Sequence, residues 1–180
     1  MLQDRIAKRY AKSLYDLGTE RGETQILLND CKEVHNLVKQ STQFVAFLNS
    51  PVIISEKKEA ILSKLLEGKV SASFLGLVTL LAKKERAHLV DNIVMEFINL
   101  YNHKSNITEV ELLTATETTV EFQNTVKAKV ERELKTTVQM STKVDDRLVG
   151  GFVLRIGDKI YDGSLQTGLM NLRKQLTETR

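Results

Sequence analysis

The apolar residues of this 180-residue chain follow one period up to about Tyr101 and a different one after about Asn106. A stretch that repeats every three to four residues buries one side of a helix, whereas one that alternates buries one face of a strand. No single regular architecture satisfies both, so the chain has to fold as two differently built parts.

The first part reads as helices throughout. Ile6, Tyr10 and Leu14 recur every fourth residue with Ala7 and Ala11 beside them, and Gly18 is placed to end that helix. A second helix from about Thr24 carries Leu27, Cys31, Val34 and Val38 on one stripe. Phe44, Phe47 and Leu48 form a short third helix that stops before Pro51, the only proline. Ser55 is placed as the N-cap of a fourth, with Ile61, Leu62, Leu65 and Leu66, and Ser71 as the N-cap of a fifth, "ASFLGLVTLLAKK". The fifth is apolar far round its circumference: Leu75, Val78 and Ala82 make one face, and Phe74, Leu77 and Leu81 the adjacent one. Such a helix is either central or has a second face awaiting a partner. A sixth, from Asp91, presents Ile93, Phe97, Leu100 and Tyr101.

"NHKSNITE" is polar and aperiodic, which puts the boundary between residues 1–105 and 106–180. Beyond it, Val110 and Leu112 alternate with Glu109 and Glu111 as a half-buried strand. Thr118 and Glu121 have capping-box spacing ahead of a helical stripe of Phe122, Val126, Val130 and Leu134. Thr137 to Val144 alternates again, through Val138 and Met140. The expected fold is α+β overall, a six-helix bundle followed by a small α+β domain with a short mixed sheet.

"GGFVLRIGDKIYDGSL", residues 150–165, holds four of the nine glycines. A phosphate-binding loop needs its glycines five apart and then Lys-Ser/Thr at the start of a helix. Gly151 and Gly157 are one residue too far apart, and Asp158 stands where the lysine belongs. Strand, two-residue turn and strand fit instead: Val153–Ile156, Gly157-Asp158, then Lys159–Asp162, with glycine supplying the positive φ of a hairpin turn. Gly150-Gly151 would let the chain bend or bulge. Ser164 can cap a last helix carrying Leu165, Leu169, Leu172 and Leu176, and Gly168 would let it pack closely on the sheet.

Chemistry-bearing constellations are missing from the sequence. His35, His88 and His103 fall on different segments without paired ligand spacing, and the single cysteine, Cys31, lies on an apolar stripe. Asp145-Asp146 before Arg147 has the character of a turn, and "DGSLQ" lacks the second glycine of a hydrolase elbow. The expectation is a protein with no catalytic, cofactor-binding or metal residues. The longest apolar stretch, Phe74 to Ala82, is too short for a membrane span, and the basic amphipathic start lacks a signal peptide's apolar middle. A soluble, intracellular protein is expected. Lys plus Arg exceed Asp plus Glu by 15 to 12 up to Ser105 and balance at 11 to 11 afterwards, too little for a nucleic-acid field.

"LVGGFVLRIGDKIYDGSLQTGLMNLRKQL" resembles the C-terminal signature of the delta subunit of F-type ATP synthases, called the oligomycin-sensitivity-conferring protein in mitochondria. "IAKRYAKSLYDLG" resembles that family's first helix, and "FLNSPVIISEKKEAIL" and "FLGLVTLLAKKERAHLVDNIVMEFINLY" its middle and its fifth-to-sixth helices. The matches keep the family's order across essentially the whole chain. In "KKERAHL" Glu85 precedes the arginine, where the family more usually has a small or polar residue.

The resemblance implies a non-catalytic stator subunit on the cytoplasmic face of a bacterial membrane, touching the membrane only through the complex. Residues 1–105 would grip the N-terminal tail of an alpha subunit of the head, with beta subunits an open further contact. Residues 106–180 would hold the b subunits of the peripheral stalk. The expected tail groove comprises Ala7, Tyr10, Ala11, Leu14, Phe74, Leu77, Val78 and Leu81, unless the second face of the fifth helix is core. Two other classes stay open beside this one. They are a small nucleic-acid-binding module built on the C-terminal half, disfavoured by its neutrality and 6% aromatics, and an enzyme whose site follows no known pattern.

Overall fold

The computed structural model describes residues 2–157 and 159–178, without the side chains of Leu2, Leu172 and residues 176–178. Among these residues the protein is mixed α+β, with eight α-helices and one four-stranded mixed sheet. The chain divides into two compact units between Asn102 and His103.

The first unit contains α1 (Leu2–Arg21), α2 (Thr24–Gln40), α3 (Thr42–Asn49), α4 (Ser55–Leu66) and α5 (Ala72–Lys83). A 3-10 turn, Ala87–Leu89, leads into α6 (Val90–Lys104), whose last turn runs past the division. Leu27, Phe74, Leu81, Ile93 and Phe97 are each at most 1% exposed and form the centre of one continuous core. Burying a side chain of this size contributes about 2–3 kcal/mol each.

α5 is held at both ends. Ser71 Oγ accepts from Phe74 N at 3.3 Å, the N-cap the sequence predicts, while the buried Asp30 accepts from Ser71 N at 2.9 Å. A carboxylate beside a helix N-terminus also meets the positive end of its dipole. At the other end Arg86 N donates to Leu81 O and Glu85 N to Ala82 O, with Glu85 left-handed at φ 57°. This is a Schellman turn, and the position Glu85 occupies is the one glycine usually fills.

Three helix-end expectations are corrected. α1 continues past Gly18 and ends before Gly22, whose φ is 68°. Gly18 serves close packing instead, since a Cβ there would stand 2.7 Å from Leu27 Cδ1. Ser55 begins α4 but makes no capping bond, the cap position being Ile54. In α7, Thr119 rather than Thr118 caps, accepting from Phe122 N at 3.4 Å, while Thr118 takes up the Gln123 amide. On α4, Leu62 and Leu66 are buried but Ile61 and Leu65 are exposed, so its stripe is only half used.

The second unit holds β1 (Ile107–Thr114), α7 (Val120–Leu134), β2 (Thr137–Val144), β3 (Gly151–Ile156), β4 (Lys159–Ser164) and α8 (Leu165–Glu178). The sheet order is β2-β1-β3-β4, with β1 and β2 parallel and the other neighbours antiparallel. α7 supplies Val126 and Val130 to a small core with Val110 and Val138. As an inner strand, β1 buries more than the alternation predicts: Leu113 and Thr114 are buried as well as Val110 and Leu112.

The glycine-rich stretch is a hairpin. Ile156 pairs with Lys159 across a two-residue connection in which Gly157 has φ 56°; Asp158 lies outside the described residues. Gly151 has φ 81°, and a Cβ there would stand 2.3 Å from Gly163 O, so only glycine fits. Both strands run longer than the sequence suggests. Ser164 caps α8 through Thr167 N at 3.3 Å, as expected. Gly168, however, faces open space rather than the sheet, and Leu165 and Leu169 are exposed; the side chains of Leu172 and Leu176 lie outside the described residues.

Candidate functional site

Each unit carries a surface that is concave, partly apolar and built by its own elements. On the first unit it is a cleft of about 490 Å³ beside α1 and the end of α5. Ile6, Arg9, Tyr10 and Ser13 line it from α1, and Lys84 and Arg86 from the Schellman turn. The α1 residues are spaced i, i+3, i+4 and i+7, so one helix face makes that wall. Arg86 Nη1 donates to Tyr10 Oη at 3.1 Å, which fixes the phenol and the guanidinium against each other.

The eight residues expected to form a groove do not share one surface. Ala7, Ala11, Leu14, Phe74, Val78 and Leu81 are buried in the core of the free chain. Only Tyr10 and Leu77, both half-buried, reach outward, and of the eight only Tyr10 lines the cleft. Ala7 and Ala11 carry so little side chain that α1 can lie close against its neighbours, which is a packing role. Arg9, Ser13, Lys84 and Arg86 line the cleft without belonging to the expected eight. Arg9 and Ser13 stand three residues after Ile6 and Tyr10, a signal visible in the helical spacing.

On the second unit the surface is an apolar groove of about 300 Å³ between α7 and the β3–β4 hairpin. Val126, Val130 and Leu134 face Phe152, Leu154, Ile156 and Tyr161 across it. α7 lies over β1 and β2 in forming the small core, which leaves the same sheet face open toward β4. In α8, Leu165, Leu169 and Met170 are more than half exposed.

Several ionisable residues away from these two surfaces are engaged structurally. His35 Nδ1 lies 2.9 Å from Asp91 Oδ1, tying α2 to α6. Ser73 Oγ donates to Glu23 at 2.9 Å and accepts from Arg21 at 3.1 Å, joining α1, α2 and α5. Burial pushes the Cys31 thiol far up from its ordinary value, leaving an inert thiol rather than a nucleophile. Among the described residues no group of His, Cys, Asp or Glu could hold a metal ion. No helix there is long and apolar enough to cross a membrane.

Residues 6–176 match the family described as ATP synthase delta (OSCP) subunit. The chain belongs to that family. A relative described as ATP synthase subunit delta from Cytophaga hutchinsonii is 35% identical over 178 residues, covering 99% of this chain and 97% of its own. Another so described, from Lawsonia intracellularis, is 32% identical, covering 98% and 95%. A chain in the cryo-EM structure of the Toxoplasma gondii mitochondrial ATP synthase hexamer shares the fold with a TM-score of 0.74 at 21% identity, over 95% of this chain and 97% of that one.

As a delta/OSCP subunit the protein is a stator component of ATP synthase, structural rather than catalytic, and peripheral to the membrane complex. Family membership sets aside both alternatives, the nucleic-acid module and the enzyme. Docking surfaces, not a reaction centre, are what such a part requires.

Proposed function

We propose that the two surfaces divide the stator's work between the two units. The bundle of α1–α6 holds the catalytic head through the N-terminal tail of an alpha subunit, seated as an amphipathic helix along the cleft beside α1 and α5. The second unit holds the b subunits of the peripheral stalk through the α7/hairpin groove and the outward face of α8. The protein then works at the cytoplasmic face of a bacterial membrane, attached through the complex.

The observation that carries this division is that each compact unit has its own unfilled surface, and they differ in kind: a cationic cleft on one, an apolar groove with an exposed apolar helix on the other. A part that resists rotation has to be clamped at two places. Lasting attachment at nanomolar affinity is about 12 kcal/mol at each end.

Paired substitutions in the whole protein test the division. Ile6→Asp or Tyr10→Asp is expected to lose the head in a pull-down while keeping the b subunits, and Tyr161→Asp or Leu169→Asp to do the reverse. Loss of the b subunits from the Ile6 or Tyr10 variant, with the head retained, overturns it.

A further inference from the structure

We infer that the cleft beside α1 and α5 is built for an acidic amphipathic helix: its cations select carboxylates on the docked segment while Ile6 and Tyr10 take that segment's apolar stripe. This rests on the head-binding role proposed for the cleft and specifies the chemistry of what it accepts.

The charge distribution is the ground for it. The lining residues include Arg9, Lys84 and Arg86 and no acidic side chain. None of the three cations is in an ion pair among the described residues, although ion pairs occur elsewhere, as between Lys83 and Glu59 and between Lys143 and Glu111. The α7/hairpin groove, by contrast, is lined by one cation and one anion, Lys129 and Glu133. Residues 1–105 carry 15 Lys and Arg against 12 Asp and Glu, and the cleft gathers as many unpaired cations as that excess.

Geometry adds to charge. The Arg86 guanidinium spends one donor on Tyr10 Oη and keeps others for a carboxylate, which it can meet in bidentate fashion. The hydrogen bond also holds it beside the Tyr10 ring, so the charge borders the apolar floor. A helix lying there would place its i, i+3, i+4 and i+7 apolar side chains on Ile6 and Tyr10, with flanking carboxylates at the cations. Rim charges of this sort act mainly on encounter rate and on the rejection of wrong partners.

The test uses the full-length chain and two helical peptides sharing one Leu/Ile stripe, one flanked by Glu and the other by Gln. At low salt the Glu peptide is expected to bind about tenfold more tightly. Near 1 M salt, where screening acts within about 3 Å, the two should converge. Arg9→Gln/Lys84→Gln, at exposed positions, should erase most of the preference while the melting curve stays put. Arg86→Lys should retain part of it. Equal binding of both peptides at low salt, with the native head still captured, overturns the acidic preference and leaves head binding standing. Failure of both peptides together with failure to capture the head removes the cleft from head binding altogether. Tripolyphosphate displacing the Glu peptide at equal concentration also overturns the proposal, because the cleft would then read charge without a helix.

Discussion

In the first unit Leu27, Phe74, Leu81 and Phe97 are completely enclosed; in the second, Leu165 is 58% exposed, Leu169 65% and Met170 54%. The first unit also shows apolar residues outside, at Val52 and Ile54, but its helix stripes converge on a core of more than twenty side chains. The second unit's continuous core consists of four valines, with Met140, Leu154 and Ile156 against it. Leu112, Leu113 and Val153 are buried within the sheet, while Leu165, Leu169 and Met170 of α8 face outward. The first unit encloses most of its apolar side chains, whereas the second leaves the apolar side chains of α8 outside its smaller core.

Cutting the units apart gives the largest expected effect. Residues 1–105 alone should form a folded helical domain that still holds the head, because its core closes without the second unit. Membranes rebuilt with this piece should hydrolyse ATP and pump few protons. Normal ATP-driven pumping would show that the stalk connection does not pass through residues 106–180.

Single core truncations sharpen the contrast. Phe74→Ala should lower the first unit's stability by about 3–5 kcal/mol, since it empties a site with no access to water. Val126→Ala, at the 9% exposed rim of the small core, should cost about 1–2 kcal/mol. Denaturant unfolding followed by tyrosine and far-UV signals measures both. Equal costs would mean the second core is better closed than its burial indicates.

Much of this architecture is legible in the sequence, and the failures have a common cause. The period of Ile6, Tyr10 and Leu14 locates α1, and Ser71 and Ser164 cap where their hydroxyls suggest. Periodicity states which residues share a face, but not what covers that face. Hence Phe74, Val78 and Leu81, expected to line a groove, are core, while Leu165 and Leu169, carried by a helix that Gly168 is expected to let pack on the sheet, are exposed. Helix ends fail for a related reason. Gly18 has the composition of a terminator, yet its missing side chain is used by Leu27, a neighbour the local sequence does not reveal. The cationic cleft joins α1 to a turn more than seventy residues on, so nothing local announces it.

A smaller effect is expected at Glu85, which holds the left-handed turn that presents Arg86 to the cleft. Glu85→Gly removes the steric cost of a side chain at φ 57° and should raise the first unit's stability by roughly 0.5–1 kcal/mol. The second unit's transition should not move. A destabilised first unit would mean that the Glu85 side chain makes a contribution larger than the strain.

The smallest effect distinguishes the units by acid. Lys143 beside Glu111, aided by Arg155, holds that carboxyl below its ordinary value and ties β2, β1 and β3 together. Arg147 donates two side-chain bonds to Asp145, at 2.8 and 2.9 Å, and lowers it to about 2. Ser164 N and Thr167 hold Asp162 down at the start of α8. All three lie in the second unit. A carboxyl depressed in the folded state contributes stability that is fully present above its unfolded value and disappears as pH falls through its folded value. For Asp145 that window runs from about pH 4 down to about pH 2. The second unit should therefore loosen first on acidification, losing sheet signal while helical signal from the first unit persists. Exposed pairs contribute little individually and are screened by salt, so the shift should be modest and shrink at high ionic strength. Arg147→Gln should move the acid midpoint of the second unit upward and leave that of the first in place. If instead both units lose structure at one midpoint in the native chain, and Arg147→Gln shifts neither, these pairs do not set the acid sensitivity, and the two units are less independent than their separate cores indicate.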